Sequence, residues 1–493
     1  MKQGTLILLL IAAGLFISPQ LSGQLSDSML DLHTCKRMAL ENNHKLRKAE
    51  LQINIADQNT KSAFTRLLPS LDVTAQYLRT NKPFYLLDEN QFFPVVPFWS
   101  IDQEDMSLLP DVAETPLIYG AMIDPDTGEV MVDEEGNPVF LQYGYIPRDE
   151  MTFGSKDNYI INGGVTMPVY MGGKLRRQYK ISRIVEDMQH DRSDLSEDEV
   201  LFDVEKLYWK IVSLQEKKNL ADAYRAMLDT LVMELENIYE EGIITRNDLL
   251  KARKKQNEVM YQQFQAENGI RLAGMALNQA IGLPLDSIPR LEGSLDAVRI
   301  FLDRSRLTEQ AIQTRPELAV LDKSIQLADQ TVKLAWSRFL PNIIATGNYS
   351  FYKPNPYNGF TQDFGGDYNL GLTCRIPITQ WGNRIHSLKS AKYLRELAEV
   401  NRQEKQEKIS LQVQQSWNAY LESFKKVEVK EIGVKQAREN LRIMQDKFDE
   451  GMITTSDLLE AQALWQEARS ELIEAQTELR TQEIKLKKHS GNL

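Results

Sequence analysis

The stretch IADQNTKSAFTRLLPSLDVTAQY, residues 55–77, is answered by LADQTVKLAWSRFLPNIIATGNY at 327–349. Ten of the 23 positions are identical, Arg66/Arg338, Pro69/Pro341 and Tyr77/Tyr349 among them, at an offset of 272. Farther along, NYIINGGVTMPVYMGG (158–173) answers DYNLGLTCRIPITQWG (367–382), and IYEEGIITRNDLLKA (238–252) answers KFDEGMITTSDLLEA (447–461), both at an offset of 209. A chain that carries one order of elements twice reads as a single pseudo-symmetric body. The first repeat runs 24–290 and the second 307–493, with a linker at 291–306. The change of offset places 63 extra residues in the first repeat, within 83–156.

Each repeat changes period at a proline. Helical spacing runs up to Leu68 before Pro69, and up to Leu340 before Pro341. Beyond these prolines the period drops to 2. Leu71, Val73, Ala75 and Tyr77 alternate with Asp72, Thr74 and Gln76, and Ile343, Ala345, Gly347, Tyr349 and Phe351 with Asn342, Thr346, Asn348 and Ser350. The second strand of each pair behaves alike: Tyr159, Ile161 and Val165 against Asn162 and Thr166, then Tyr368, Leu370 and Leu372 against Asn369 and Thr373. Such strands have one apolar and one polar face. An ordinary half-buried sheet gives the same pattern.

Pro168 and Pro377 end the second strands, and glycines hand the chain to very long helices at 174–241 and 383–450. In the first, Leu207, Leu214, Ala221, Leu228 and Leu235 recur every seven residues, with Val204, Ile211, Leu231 and Ile238 as companions at three- and four-residue steps. The second carries Val434, Ala437, Leu441, Met444 and Phe448. This spacing predicts coiled-coil-like packing along roughly 100 Å of helix. Each long helix stops at a glycine, Gly242 or Gly451, and the chain returns as a helix over 248–281 or 457–490. Placed end to end, the sheet-side and return helices approach the length of the long one. Each repeat is therefore expected to fold as a hairpin-like bundle with strands at one end, a tight turn at the other and a junction midway. The pieces 31–42 and 306–314 and the linker are left to decorate that junction.

Bulk properties exclude several classes. A formal charge of −11 argues against nucleic acid, which needs a basic footprint. Two cysteines, Cys35 and Cys374, at non-equivalent places make no disulfide framework, and neither offers a lipid acceptor near the start of the chain. Residues 1–23 read as a secretory signal: Lys2, an apolar run Leu6–Ile17, then small and polar residues. No other stretch has the roughly 20 apolar residues of a spanning helix. His33, His44, His190, His386 and His489 form no metal-ligand spacing, and Gly172-Gly173-Lys174 lacks the phosphate-loop pattern. No catalytic residue, metal or cofactor is expected.

Four amphipathic strands must hide their apolar faces under helices or in lipid. Helices that run away for about 100 Å are poorly placed to cover a sheet. A sheet in hydrocarbon can have no open edge, and membrane barrels start near eight strands, so several chains must share one barrel. Three copies would give twelve strands.

The residues resemble the TolC-like outer-membrane efflux proteins. The motifs are ALENN (39–43), ADQ…R-[LF]-L-P before the strands, P-[VI]-x-x-x-G after them, [YF]-x-x-G-x-x-T-x-x-D at the turn and L-x-x-x-I-G-L-P (277–284), in order over about 30–490. The resemblance implies a mainly α fold with a membrane β-barrel portion. A homotrimer would form one twelve-stranded barrel in the bacterial outer membrane and a long α-helical barrel in the periplasm. It implies the exit duct of a tripartite pump, docked to a periplasmic adaptor and, through it, to an inner-membrane transporter.

Leu71, Val73, Tyr77, Tyr159, Ile161, Val165, Ile343, Tyr349, Phe351, Tyr368, Leu370 and Leu372 are then the expected lipid face. The turn residues Gly242, Ile243, Ile244, Gly451, Met452 and Ile453 are the expected adaptor-docking tips. By resemblance Asp248 matches a gate carboxylate, and Asp457 and Glu460 an acidic ring at the periplasmic entrance. The two aspartates also sit where a helix N-terminus stabilises a carboxylate. The family's gating arginine is replaced by Ile453, with Arg246 in the first turn as its candidate substitute, and Glu460 is expected to face Lys251 of the other repeat. The surplus at 83–156 holds Phe92, Phe93, Phe98, Trp99 and two acidic turns, 124–129 and 133–138, and 120–142 reads as a hairpin. The rival reading is a periplasmic coiled-coil scaffold or adaptor without a barrel, and behind it stands a secreted enzyme with a helical body.

Overall fold

The structure, a computed structural model, describes residues 29–82, 84–85, 87–94, 122, 124–139, 143–148, 152–153, 155–287, 289–296 and 303–492. The signal segment 1–23, Phe98 and Trp99 lie outside them. The first repeat contains α1 (Leu32–Asn42), α2 (His44–Thr65), β1 (Ser70–Arg79), the short β2 (Phe84–Tyr85), β3 (Gln91–Pro94), β4 (Tyr143–Ile146) and β5 (Thr152–Phe153), then β6 (Asp157–Met171), α3 (Lys174–Glu240) and α4 (Arg246–Ile281). The second contains α5 (Arg304–Thr314), whose first three residues fall in the expected linker, then α6 (Pro316–Ser337), β7 (Asn342–Lys353), β8 (Gly365–Arg375), α7 (Asn383–Asp449) and α8 (Thr455–Ser490). The equivalents match in length: 22 residues in α2 and α6, 67 in α3 and α7, 36 in α4 and α8.

α2 and α6 end at Thr65 and Ser337, three residues short of the expected Leu68 and Leu340. The reason is steric. A proline ring clashes with the carbonyl four residues back, and those carbonyls belong to Thr65 for Pro69 and Ser337 for Pro341. Gly172 leaves room for the Ser337 carbonyl, since a Cβ there would stand 2.6 Å from it, and its φ is +60°.

Two compact units form. One holds the described residues of 1–64, 176–336 and 380–493, the other those of 65–175 and 337–379. The second unit contains the four-stranded antiparallel sheet, in the order β1-β6-β7-β8. The register puts Ser70, Met171, Asn342 and Arg375 at one end of it, so α2, α3, α6 and α7 all join the sheet there. One irregularity falls between Pro168 and Tyr170, where proline offers no ladder donor. Beyond the sheet, β2 pairs with β5 and β3 with β4. In the expected hairpin only 122 and 124–139 are described. Met122, Met131 and Val139 exchange backbone hydrogen bonds of 2.6–2.8 Å there. In the acidic turns Asp124 Oδ1 accepts from the Asp126 N–H at 2.9 Å and Asp133 Oδ1 from the Asn137 N–H at 2.9 Å.

Among the described residues the helical unit has three cores. Midway along α3, Val200, Val204, Tyr208 and Ile211 pack with Cys35 and Ala39 of α1, Leu277 and Ile281 of α4, and Leu291 and Leu295 of the linker. A parallel bridge joins Leu30 to Leu291, and the Tyr208 hydroxyl donates to the Glu292 carbonyl. This added layer shifts the buried stripe. Below Ala221 the expected seven-residue grid holds (Ala221, Leu228, Leu235); above it the expected companions Val204 and Ile211 are buried together with Tyr208, while Leu207 and Leu214 are half-buried. The second repeat has a matching core of Leu307 and Ala311 from α5, Leu318 from α6, Ile409, Val413 and Tyr420 from α7, and Leu479 and Leu486 from α8. At these levels the short helices meet end to end. Asn43, beside the start of α2, donates to the Ala280 carbonyl of α4 at 2.8 Å. A Cβ on Gly491 would stand 2.1 Å from Thr314 Oγ1, just before α6 begins. The pieces 31–42 and 306–314 do decorate the midpoint. The third core lies at the far turns and unites the repeats: Tyr224, Leu228 and Leu235 of α3, Leu249 and Ala252 of α4 and Leu458 of α8, with Leu441, Met444 and Phe448 of α7 against it. No helix among the described residues is long and apolar enough to cross a membrane.

Candidate functional site

Two surfaces carry the candidate residues, the sheet and the far turns. On the sheet, strand register sorts every residue to a face. Leu71, Val165, Gly347 and Leu370 stand abreast in one row, and Val73, Gly163, Tyr349 and Tyr368 in the next. Ala75, Ile161, Phe351 and Gly366 follow, then Tyr77, Tyr159 and Lys353. On the other side of the first row lie Met167, Ala345 and Leu372, then Ile343 and Cys374. All twelve residues expected on one face therefore share one face.

The opposite face is polar along its middle. Asp72, Gly164, Asn348 and Asn369 form one row, and Thr74, Asn162, Ser350 and Asp367 the next. Asn348 Nδ2 donates to Asn369 Oδ1 at 3.0 Å. Gly164 makes room for that amide, since a Cβ there would stand 2.4 Å from Asn348 Oδ1.

The apolar face is not covered: eleven of the twelve residues are exposed, Leu370 at 81%, and only Ile343 is half-buried. Every residue of the edge strand β1 is exposed, as are nearly all of β8. Transfer of such side chains out of water is worth about 1.5–3 kcal/mol each, and unpaired edges present free N–H and C=O groups. Aromatic rings gather at the end where β7 turns into β8. Tyr77 and Tyr159 lie 5.1 Å apart, Tyr159 and Phe364 6.4 Å apart, and Lys353 Nζ sits 5.4 Å from the Phe364 ring centre.

At the far turns, Gly242 and Gly451 adopt φ of 77° and 71°, conformations that favour glycine. The residues after them divide. Ile243 and Met452 are 71% and 67% exposed, whereas Ile244 and Ile453 pack onto the shared core. Thr245 and Thr454 then cap α4 and α8 with reciprocal capping boxes. Asp248 Oδ2 accepts from Thr245 Oγ1 at 2.7 Å and Asp457 Oδ2 from Thr454 Oγ1 at 2.7 Å. These threonine hydrogen bonds hold both carboxyls below the usual aspartate range, helped for Asp248 by Lys251 at 3.6 Å.

The structure thus gives both aspartates a helix-capping task. Glu460 and Arg246 are exposed and have no ion pair among the described residues. Lys251 does reach the other repeat, but to Ser456 Oγ at 2.9 Å and not to Glu460. That contact was hidden in the sequence. The aspartates were expected at the helix start, and there they stand, at the third helical position, while the caps themselves are Thr245 and Thr454.

Comparison with known proteins adds independent findings. The profile of the outer membrane efflux protein family matches residues 141–283 and 307–492. The alkaline protease secretion protein AprF of Pseudomonas aeruginosa is 23% identical over 298 residues, which is 60% of this chain and 62% of that protein. The match therefore spans less than two thirds of that relative. Among solved structures, the Campylobacter jejuni CmeC outer membrane channel superimposes with a TM-score of 0.69 at 16% identity, covering 94% of this chain and 85% of that one. The open state of the Neisseria gonorrhoeae MtrE outer membrane channel gives 0.67 at 16% identity over 93% and 88%. At these identities the structural likeness is one of fold.

Proposed function

We propose, since this chain belongs to the outer membrane efflux protein family, that it serves as the outer-membrane exit duct of an efflux or secretion system. It resides in the outer membrane and extends into the periplasm. The single observation that carries the reading is the sheet: four strands, two edges with no strand paired to them among the described residues, and an exposed apolar face opposite a polar one. Apolar side chains would face acyl chains and the Asp72 and Thr74 rows a water-filled bore. β1 and β8 run antiparallel, so β8 of one copy can pair with β1 of the next in the sense an all-antiparallel barrel requires. Four strands are too few to close, and three copies supply twelve. A soluble scaffold would leave the same apolar rows in water.

In this reading the exposed Ile243 and Met452 are the tips that dock a periplasmic adaptor, and an inner-membrane transporter is reached only through it. Asp248, Asp457 and Glu460, in three copies around a narrow axis, would form acidic rings that favour cations, with Arg246 as their nearby counter-charge. The family is one of channels, and we read the chain as passive, with no catalytic activity and no cofactor.

The test is extraction followed by reconstitution. The protein should stay with outer membranes in high salt, require detergent for release, and form discrete conducting pores in planar bilayers. Release by salt alone, with no conductance, would overturn the reading in favour of a periplasmic scaffold.

A further inference from the structure

The opening turns of α3 and α7 concentrate positive charge. Between Lys174 and Arg183 stand five cations, Lys174, Arg176, Arg177, Lys180 and Arg183, and no acid. Between Asn383 and Arg395 stand Arg384, Lys389, Lys392 and Arg395, again with no acid, in a chain of net charge −11. At the offset of 209 that relates the repeats, Lys180 answers Lys389 and Arg183 answers Lys392. Arg176, Lys180 and Arg183 follow at steps of four and three and so share one helix face. These three, with Lys389 and Lys392, are exposed and make no ion pair among the described residues.

Helix stability does not account for them. The helix macrodipole favours acids at the N-terminus and cations at the C-terminus. α3 has the reverse: cations in its opening turns, and Asp229, Glu234, Glu236 and Glu240 without one cation after Arg225. Covalent connection fixes where the cations lie along the chain. α3 begins three positions after Met171, the last residue of β6, and 174–183 spans about 14 Å of helix. They therefore lie within a few turns of wherever the apolar strand face ends. The same stretch of the second repeat exposes Trp381 and Tyr393, rings that settle at the headgroup level of a bilayer.

Resting on the outer-membrane reading, we propose that Arg176, Lys180, Arg183, Lys389 and Lys392 form a basic collar that binds anionic phospholipid headgroups of the periplasmic leaflet. Each exposed cation at such a surface strengthens attraction to anionic lipid roughly fivefold at low salt, and several around an oligomer select anionic over zwitterionic lipid.

The experiment reconstitutes the full chain in vesicles of phosphatidylcholine with brominated phosphatidylglycerol, or the reverse. Tryptophan quenching then reads which lipid occupies the protein surface. Wild type should favour phosphatidylglycerol severalfold, and the preference should fall as salt rises. The variant carrying Arg176→Gln, Lys180→Gln, Arg183→Gln, Lys389→Gln and Lys392→Gln should approach no preference while still conducting. An unchanged preference in the variant overturns the collar. So does a shifted reversal potential with unchanged lipid preference, which would place the cations in the bore. Should the variant not fold, a wild-type preference indifferent to salt overturns it equally. Insertion without any lipid preference defeats only the collar, whereas failure of wild type to insert into either vesicle defeats the outer-membrane reading.

Discussion

Replacing Leu370 with lysine separates the membrane reading from every soluble one. Leu370 is 81% exposed, so a soluble protein should tolerate the change, as surface substitutions usually fall within about ±0.5 kcal/mol. In a barrel the same position faces hydrocarbon. Its row, Leu71-Val165-Gly347-Leu370, lies four residues along β7 from Ile343 and six from Lys353. Those distances are about 13 and 20 Å along the strand, which puts the row near the middle of an apolar band. A lysine at the bilayer midplane on the lipid face costs about 2–4 kcal/mol, or about thirtyfold to several hundredfold in the folding equilibrium. Asn369→Lys, the adjacent residue on the polar face, is the control: it forfeits the hydrogen bond from Asn348, about 1 kcal/mol, and should cost clearly less than Leu370→Lys. The assay is urea-dependent folding into phosphatidylcholine vesicles, followed by tryptophan fluorescence and by heat-dependent gel mobility. Equal, small effects for the two lysines would refute the assignment of faces. A large effect at Asn369 with none at Leu370 would invert it.

Other expectations follow from the far turns. Thr454→Ala removes a capping box and should cost about 1 kcal/mol, seen as faster amide exchange in the first turn of α8. Asp457 is depressed below its ordinary 3.8 by Thr454. Its contribution is therefore complete above the ordinary value and lost as pH falls through the lowered one. Protection of that turn should fade below about pH 4 in wild type and show no such step in Asp457→Asn. Ile243→Asp with Met452→Asp should leave melting unchanged yet abolish dye efflux in cells, and full efflux would remove the tips from docking. Leu458→Ala, fully buried where both repeats meet, should cost about 2–5 kcal/mol in chemical denaturation. Asp457→Asn with Glu460→Gln should weaken cation preference in planar bilayers, and unchanged selectivity would take both out of the gate.

Much of this fold was legible because its signals are local. Pro69 and Pro341 announced the ends of α2 and α6, and their ring geometry also explains the three-residue error in those ends. Alternation assigned the sheet faces, since a period of two leaves no freedom once pairing is antiparallel. Gly242 and Gly451 marked the far turns. Contacts between residues far apart in sequence were not legible. Nothing in the linker foretold the parallel bridge from Leu30 to Leu291, nor that this layer would bury Tyr208 in place of Leu207. The capping role of Asp248 and Asp457 was half visible, because T-x-x-D at a helix start is a local pattern. The Lys251–Ser456 hydrogen bond was not, because it depends on how two helix ends abut.

Closure of the sheet by sister chains is open to one direct measurement. Cys374 is exposed on the edge strand β8 and lies on the apolar face, while the other cysteine, Cys35, is buried. Single cysteines introduced along β1 at Leu71, Val73, Ala75 and Tyr77 share that face, and those at Asp72, Thr74 and Gln76 do not. A disulfide requires Cβ atoms about 3.5–4.5 Å apart, so oxidation of intact envelopes should link at least one apolar-face cysteine to Cys374 of a neighbouring chain. The products should be dimers and trimers and nothing heavier, with no product from the polar-face set. A ladder that runs past three chains, or no linkage at any apolar-face position, would contradict the shared barrel.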